Sequence, residues 1–116
     1  MLIVVRHGES VWNKLNKFTG LTDVELSDIG ITEAQNVSTL LKDQTFDFIF
    51  SSSLKRCKDT VDIINNSKKP QINIINELCE RDYGDLTGKN KEELIKQFGE
   101  NQINIWRRSY MNGPPN

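Results

Sequence analysis

The sequence predicts an α/β fold built on a parallel sheet. Short apolar runs rich in β-branched or aromatic residues occur at residues 2–5 (LIVV), 46–50 (FDFIF) and 72–75 (INII), and each is bounded by polar or turn-forming residues. Segments of helical periodicity separate and follow them. That alternation is the pattern of βαβ units, with parallel strands joined by right-handed crossovers. The 116 residues suffice for one core, and no composition shift, repeat or low-complexity segment marks a boundary, so a single domain over residues 1–116 is expected.

Each element has its own signal. Residues 2–5 form the first expected strand, followed by a polar loop. Ser27 can cap a helix whose apolar residues Ile31, Ala34, Val37, Leu40 and Leu41 share a face. Residues 46–50 form the second strand. Ser53 can cap a second helix with Leu54, Cys57, Val61 and Ile64 in 3-4-3 spacing, ending near Asn65 and Asn66. The third strand, residues 72–75, follows Pro70. After a loop holding Gly84 and Gly88, a third helix carries Leu94, Ile95 and Phe98 and is stopped by Gly99. A short helix from about Ile103 to Tyr110 is then broken by Gly113, Pro114 and Pro115.

Composition narrows the function. Fifteen basic and sixteen acidic side chains leave a net charge of −1, which gives no long-range attraction to nucleic acid or to an anionic membrane. No apolar run approaches the ~20 residues that span a bilayer, and residues 1–5 are too short and lack the basic flank of a signal peptide, so a cytoplasmic protein is expected. With two distant cysteines, Cys57 and Cys79, and one histidine, no zinc-type spacing exists and no metal is expected. Both thiols read as reduced, apolar fillers; a disulfide between them is the less favoured alternative. Lysine outnumbers arginine ten to five. Lysine therefore serves as the general solvated charge, and Arg6, Arg56, Arg81, Arg107 and Arg108 stand out as candidates for bidentate work on carboxylate or phosphate.

In open α/β sheets ligands bind beyond the carboxyl ends of the strands. Three loops occupy that position: Arg6-His7-Gly8, residues 51–56, and residues 77–83. His7 follows a strand directly, and Gly8 allows a tight turn and a close ligand approach. Arg6, Ser10, Asn13 and the amides of a helix starting near Ser10 are donors suited to phosphoryl oxygens, and a neutral imidazole among them can accept a phosphoryl group. Taken alone, Arg56 is an ordinary solvated helix arginine, Glu80 a surface carboxylate paired with Arg81, and Arg107-Arg108 a basic helix end beside its own carbonyls. The functional reading of Glu80 is proton donor and acceptor for a leaving hydroxyl.

The stretches RHGESVWN (6–13), FTG (18–20), SSLKR (52–56), ERDYGDLTG (80–88), NK (90–91) and WRRSY (106–110) resemble, in order and approximate spacing, the cofactor-dependent phosphoglycerate mutases of the histidine phosphatase superfamily. The resemblance runs along the whole chain. It implies a three-layer parallel-sheet fold of the phosphoglycerate mutase type, of which this chain carries the amino-terminal half. It implies that His7 is phosphorylated, that Arg6 and Arg56 clamp the phosphoryl group, and that Glu80 exchanges the proton. Substrate and cofactor contacts are implied at Arg6, His7, Gly8, Glu9, Ser10, Val11, Trp12, Asn13, Thr19, Gly20, Arg56, Glu80, Arg81, Asp82, Tyr83, Lys91, Arg107 and Arg108. The implied reaction, in glycolysis and gluconeogenesis, interconverts 3-phosphoglycerate and 2-phosphoglycerate after priming by 2,3-bisphosphoglycerate. Arginines take the place of a metal. The implied partners are small phosphoglycerates, and an assembly of identical copies is compatible with the family.

Two features depart from the family pattern. Asp82 stands where the family usually has a histidine. Family members are about twice as long, and their later half supplies a second histidine facing the first, on a strand between strands one and two. Without that preorganised donor the expected loss is ~100-fold or more in rate, and the expected strand edges stay unpaired. Impaired mutase activity is therefore expected, with two alternatives: phosphomonoester hydrolysis by the same histidine, or a non-catalytic remnant that binds phosphorylated ligands.

Overall fold

The computed structural model describes residues 1–66, 69–108 and 113–115. Among these the order of elements is α1 (Val11–Lys14), α2 (Asp28–Leu40), β1 (Ile49–Ser51), α3 (Lys55–Ile64), β2 (Ile72–Ile74), 3-10 turns at Asn76–Leu78 and Gly84–Leu86, α4 (Lys91–Phe98) and α5 (Glu100–Arg108). They fall into two compact units, each made from two stretches of chain. Unit 1 holds Met1–Val11 and Asp23–Cys79; unit 2 holds Trp12–Thr22 and Glu80–Asn116.

Unit 1 contains the parallel pair that the alternating pattern predicts. Ile49, Phe50 and Ser51 lie opposite Ile72, Asn73 and Ile74, and the Ile75 amide adds a bond to the Ser51 carbonyl at 2.8 Å. The second strand starts three residues later than expected because its partner offers only three residues to pair with. The expected first strand is a larger correction. Residues 2–5 form no ladder with any described residue, and Leu2 and Val4 are 86% and 85% exposed. Strand propensity is realised only when a neighbouring backbone satisfies the amide and carbonyl groups.

Helix α2 begins as predicted. Ser27 has extended backbone angles, and its hydroxyl accepts the Gly30 amide at 3.1 Å. The same hydroxyl lies 2.8 Å from the Glu9 carboxylate, to which it donates, and the Ser27 amide donates to the Glu9 carbonyl at 2.9 Å. The start of α2 is thereby stitched to the loop after His7. The buried stripe of α2 is offset from the expected apolar face: Gly30 and Ala34 are buried, whereas Ile31 and Leu40 are exposed. Small side chains are needed here because the backbone of Gly8 and Glu9 lies against the helix. A Cβ on Gly30 would overlap the Glu9 carbonyl, and one on Gly8 would overlap the Gly30 carbonyl.

Helix α3 also differs from the apolar reading. Its buried helical positions are Arg56 and Thr60, while Cys57, Val61 and Ile64 are half-buried. Ser53 does not cap it. The cap position falls on Leu54, without a side-chain bond, and the Lys55 amide instead donates to the Asp23 carboxylate at 2.6 Å. Ser53 lies 4.0 Å from the Cys79 sulfur, and both cysteines are free thiols.

Unit 2 has a small core of Phe18, Leu86, Leu94 and Ile103, with Tyr83 and Trp106 packed against it. Phe18 and Tyr83 meet with ring centroids 4.8 Å apart, and Phe98 meets Trp106 edge-on at 5.1 Å. Asn90 caps α4 by accepting the amides of Glu92 and Glu93, and Gly99, at φ 85°, ends it as expected. The last helix starts at Glu100, earlier than expected, and runs to Arg108; its expected end near Tyr110 lies outside the described residues. No helix among the described residues is long and apolar enough to cross a membrane.

The Gly8–Gly30 contact predicts that Gly30→Ala lowers unfolding stability by about 1–3 kcal/mol, the usual range for forcing atoms into a packed interface. Urea titration checks this, with a neutral effect counting against the contact.

Candidate active site

Unit 1 brings together His7, Gly8, Arg56 and Thr60. Arg56 is the largest fully buried side chain, only 1% exposed, which rules out a solvated helix arginine. Burying a guanidinium is costly unless its donors are used. Here its Nε donates to His7 Nε2 at 3.4 Å. On the other side of the ring, His7 Nδ1 is 2.6 Å from the Gly8 carbonyl oxygen. A carbonyl can only accept, so Nδ1 carries the proton and Nε2 presents its lone pair. The ring is thus set as the neutral tautomer that a phosphoryl acceptor requires, with its nucleophilic nitrogen beside a fixed positive charge.

The backbone around the ring is held just as closely. The Gly8 amide donates to Thr60 Oγ1 at 3.1 Å, and the Thr60 hydroxyl donates to the Arg56 carbonyl at 2.7 Å. Ser10 is fully buried where the chain bridges to Leu26, and α1 begins immediately after it, at Val11. Glu9 is occupied structurally, its carboxylate held by the Ser27 hydroxyl. Arg6 is exposed. Ser51 and Ser52 are buried; the Ser51 hydroxyl donates to the Ser52 carbonyl, and Ser52 Oγ has no hydrogen-bond partner among the described residues.

Unit 2 carries the other expected residues. Glu80 is exposed and its carboxylate accepts the Arg81 amide at 2.9 Å, while the Arg81 guanidinium donates to the Arg107 carbonyl at 3.1 Å. Asp82 accepts the Gly84 amide at 2.9 Å and so shapes the 3-10 turn. Gly20 has φ +56°, and a Cβ there would come within 3.0 Å of the Arg81 carbonyl. Thr19 is buried, with no partner for its hydroxyl among the described residues. Lys91 holds its ammonium 5.5 Å from the Phe18 ring centroid, a cation–π geometry. Trp12 packs below Gly88 and receives the Lys17 ammonium at 5.7 Å, and Asn13 accepts the Asn16 amide through its carbonyl. Arg107 is half-buried and Arg108 exposed.

Two residues central to this geometry escape a reading of the sequence. Thr60 lies four residues after Arg56, so helical spacing places both on one face, yet a threonine there carries no chemical signature. Gly30 has no local signal at all, because its constraint comes from Gly8 and Glu9 in a distant stretch of chain.

The family model of the histidine phosphatase superfamily (branch 1) matches residues 2–116. A relative from Buchnera aphidicola subsp. Schizaphis graminum, named 2,3-bisphosphoglycerate-dependent phosphoglycerate mutase, is 48% identical over 98% of this chain and 52% of its own length. The chain spans about half the length of the curated relatives it matches. Among solved structures, the α-ribazole phosphatase of Shigella flexneri is similar at a TM-score of 0.79 and 31% identity, over 95% of this chain and 55% of that one. A phosphoserine phosphatase from Entamoeba histolytica, in complex with 3-phosphoglyceric acid, is similar at 0.72 and 33%, over 93% and 56%.

If the buried fork beside His7 is the anion-binding element, Arg56→Lys keeps the charge but loses the fork, and inorganic phosphate should bind about tenfold more weakly. Calorimetric titration of both proteins decides it; equal affinities would remove Arg56 from the anion site.

Proposed function

This chain belongs to the histidine phosphatase superfamily, and on that premise we propose that it transfers phosphoryl groups through His7, as a 2,3-bisphosphoglycerate-dependent phosphoglycerate mutase does between 3-phosphoglycerate and 2-phosphoglycerate. The observation that carries this reading is the unprotonated Nε2 of His7 set against the buried Arg56. The relatives' shared name favours the mutase reaction over others of the superfamily.

The roles are those that the resemblance to the family implies for the matching residues. The Nε2 lone pair attacks phosphorus, the bond from phosphorus to the substrate oxygen breaks, and the departing oxygen takes a proton from Glu80. In the reverse direction Glu80 removes the proton from the attacking hydroxyl. Arg56, joined by Arg6, neutralises the phosphoryl oxygens; a positive charge already in place costs no reorganisation as the bond changes. When bound, 2,3-bisphosphoglycerate supplies the phosphoryl group that primes His7. The residues of unit 1 fit such an anion: the arginine fork is present, and the buried hydroxyl of Ser52 has no partner among the described residues. The resemblance also implies substrate contacts at Arg81, Tyr83, Lys91, Arg107 and Arg108. Hydrolysis is the second reading, favoured by the phosphatases among the similar solved structures. In that case water, rather than a substrate hydroxyl, takes the phosphoryl group from His7.

Incubation with 2,3-bisphosphoglycerate should add one phosphoryl group to the wild-type chain and none to His7→Asn, read by intact mass. A folded wild type without the adduct would sink the proposal. Supplied then with 3-phosphoglycerate, the phosphorylated chain should yield 2-phosphoglycerate; release of inorganic phosphate alone would instead establish the hydrolytic reading.

A further inference from the structure

We propose that Thr60 is the positioning residue that fixes the His7 tautomer, acting through the backbone of Gly8. Thr60 is 3% exposed, and its hydroxyl oxygen accepts the amide of Gly8, the residue after His7. Its hydroxyl donates to the Arg56 carbonyl one helical turn earlier, a local bond open to threonine in a helix because its oxygen can reach back four residues. That bond removes the freedom of the hydroxyl rotor. With its proton committed to Arg56, the oxygen can only accept, and it accepts the Gly8 amide from 52 residues away in sequence.

The consequence lies at the next peptide group. Held by its amide, Gly8 presents its carbonyl to His7 Nδ1 at 2.6 Å. That bond keeps the proton on Nδ1 and the lone pair on Nε2, the atom facing Arg56. A single turn of α3 thus controls both ring nitrogens: Arg56 addresses Nε2 directly, and Thr60 secures Nδ1 through the Gly8 peptide. Linked hydrogen bonds of this kind reinforce each other, so the loss of one member loosens the rest.

Thr60→Val keeps the branched shape and removes the oxygen, whereas Thr60→Ser keeps the oxygen. Because His7 is the only histidine in the chain, its ring nitrogens can be read without ambiguity in a 15N-histidine-labelled sample at a pH where the ring is neutral. Wild type and Thr60→Ser should show Nδ1 protonated and Nε2 unprotonated. Thr60→Val should show a mixture of tautomers, and its phosphorylation by 2,3-bisphosphoglycerate should slow about tenfold, the scale of one lost buried hydrogen bond. Identical ring shifts in wild type and folded Thr60→Val would overturn the inference. Should Thr60→Val not fold, hydrogen exchange of the wild-type Gly8 amide decides: protection matching the α3 amides supports the bond, and rapid exchange overturns it. The inference rests on the reading of His7 as phosphoryl acceptor, but the tautomer and exchange measurements need no phosphorylation. A wild type that shows the expected tautomer and takes no phosphoryl group would therefore refute the proposed function while leaving the role of Thr60 standing.

Discussion

The contact between Arg56 and His7 constrains everything around it. A guanidinium stripped of water is tolerated only when protein groups replace that water and when its neighbours are held so that they cannot drift away. Unit 1 meets both demands with few residues. Helix α3 places Arg56 and Thr60 on one buried face, Thr60 ties down Gly8, and Gly8 fixes the ring that receives the Arg56 Nε–H.

The loop after His7 owes its course to α2. Ser27 caps that helix with one hydroxyl and at the same time binds both the carboxylate and the carbonyl of Glu9. Gly8 and Gly30 lack side chains at the point where the two backbones approach, so the loop is pinned from one side by α2 and from the other by Thr60. In unit 2 the same economy appears in a different form. Glu80, Arg81 and Asp82 each bond to backbone groups, and Tyr83, next in the chain, packs against Phe18.

The legible parts of this architecture were those set by neighbours in sequence. The Ser27 cap, the Gly99 stop and the one βαβ unit formed by β1, α3 and β2 depend on residues a few positions apart, and the sequence pattern located them. Arginine used sparingly beside abundant lysine pointed to Arg56, which is 1% exposed and lies beside His7. Long-range partners account for what was illegible. Residues 2–5 have the composition of a strand, but a ladder needs a second backbone, and no described residue provides it. Asp23 displaced Ser53 as the group at the start of α3 from 32 residues away. Apolar spacing located the inner faces of α2 and α3 only in part: Ala34 and Leu54 are buried as expected, but Gly30 is buried against the bare backbone of Gly8 and Glu9, and α3 buries Arg56 and Thr60. Gly30 and Thr60 act wholly through such distant contacts.

The central claim is that this chain prepares one nitrogen of one histidine to take a phosphoryl group. The most direct measurement is 31P–15N correlation on chain labelled at His7 and phosphorylated by 2,3-bisphosphoglycerate, which identifies the ring nitrogen bonded to phosphorus. The Arg56–His7–Gly8 geometry predicts phosphorus on Nε2. Phosphorus on Nδ1, or on any residue other than His7, would contradict it.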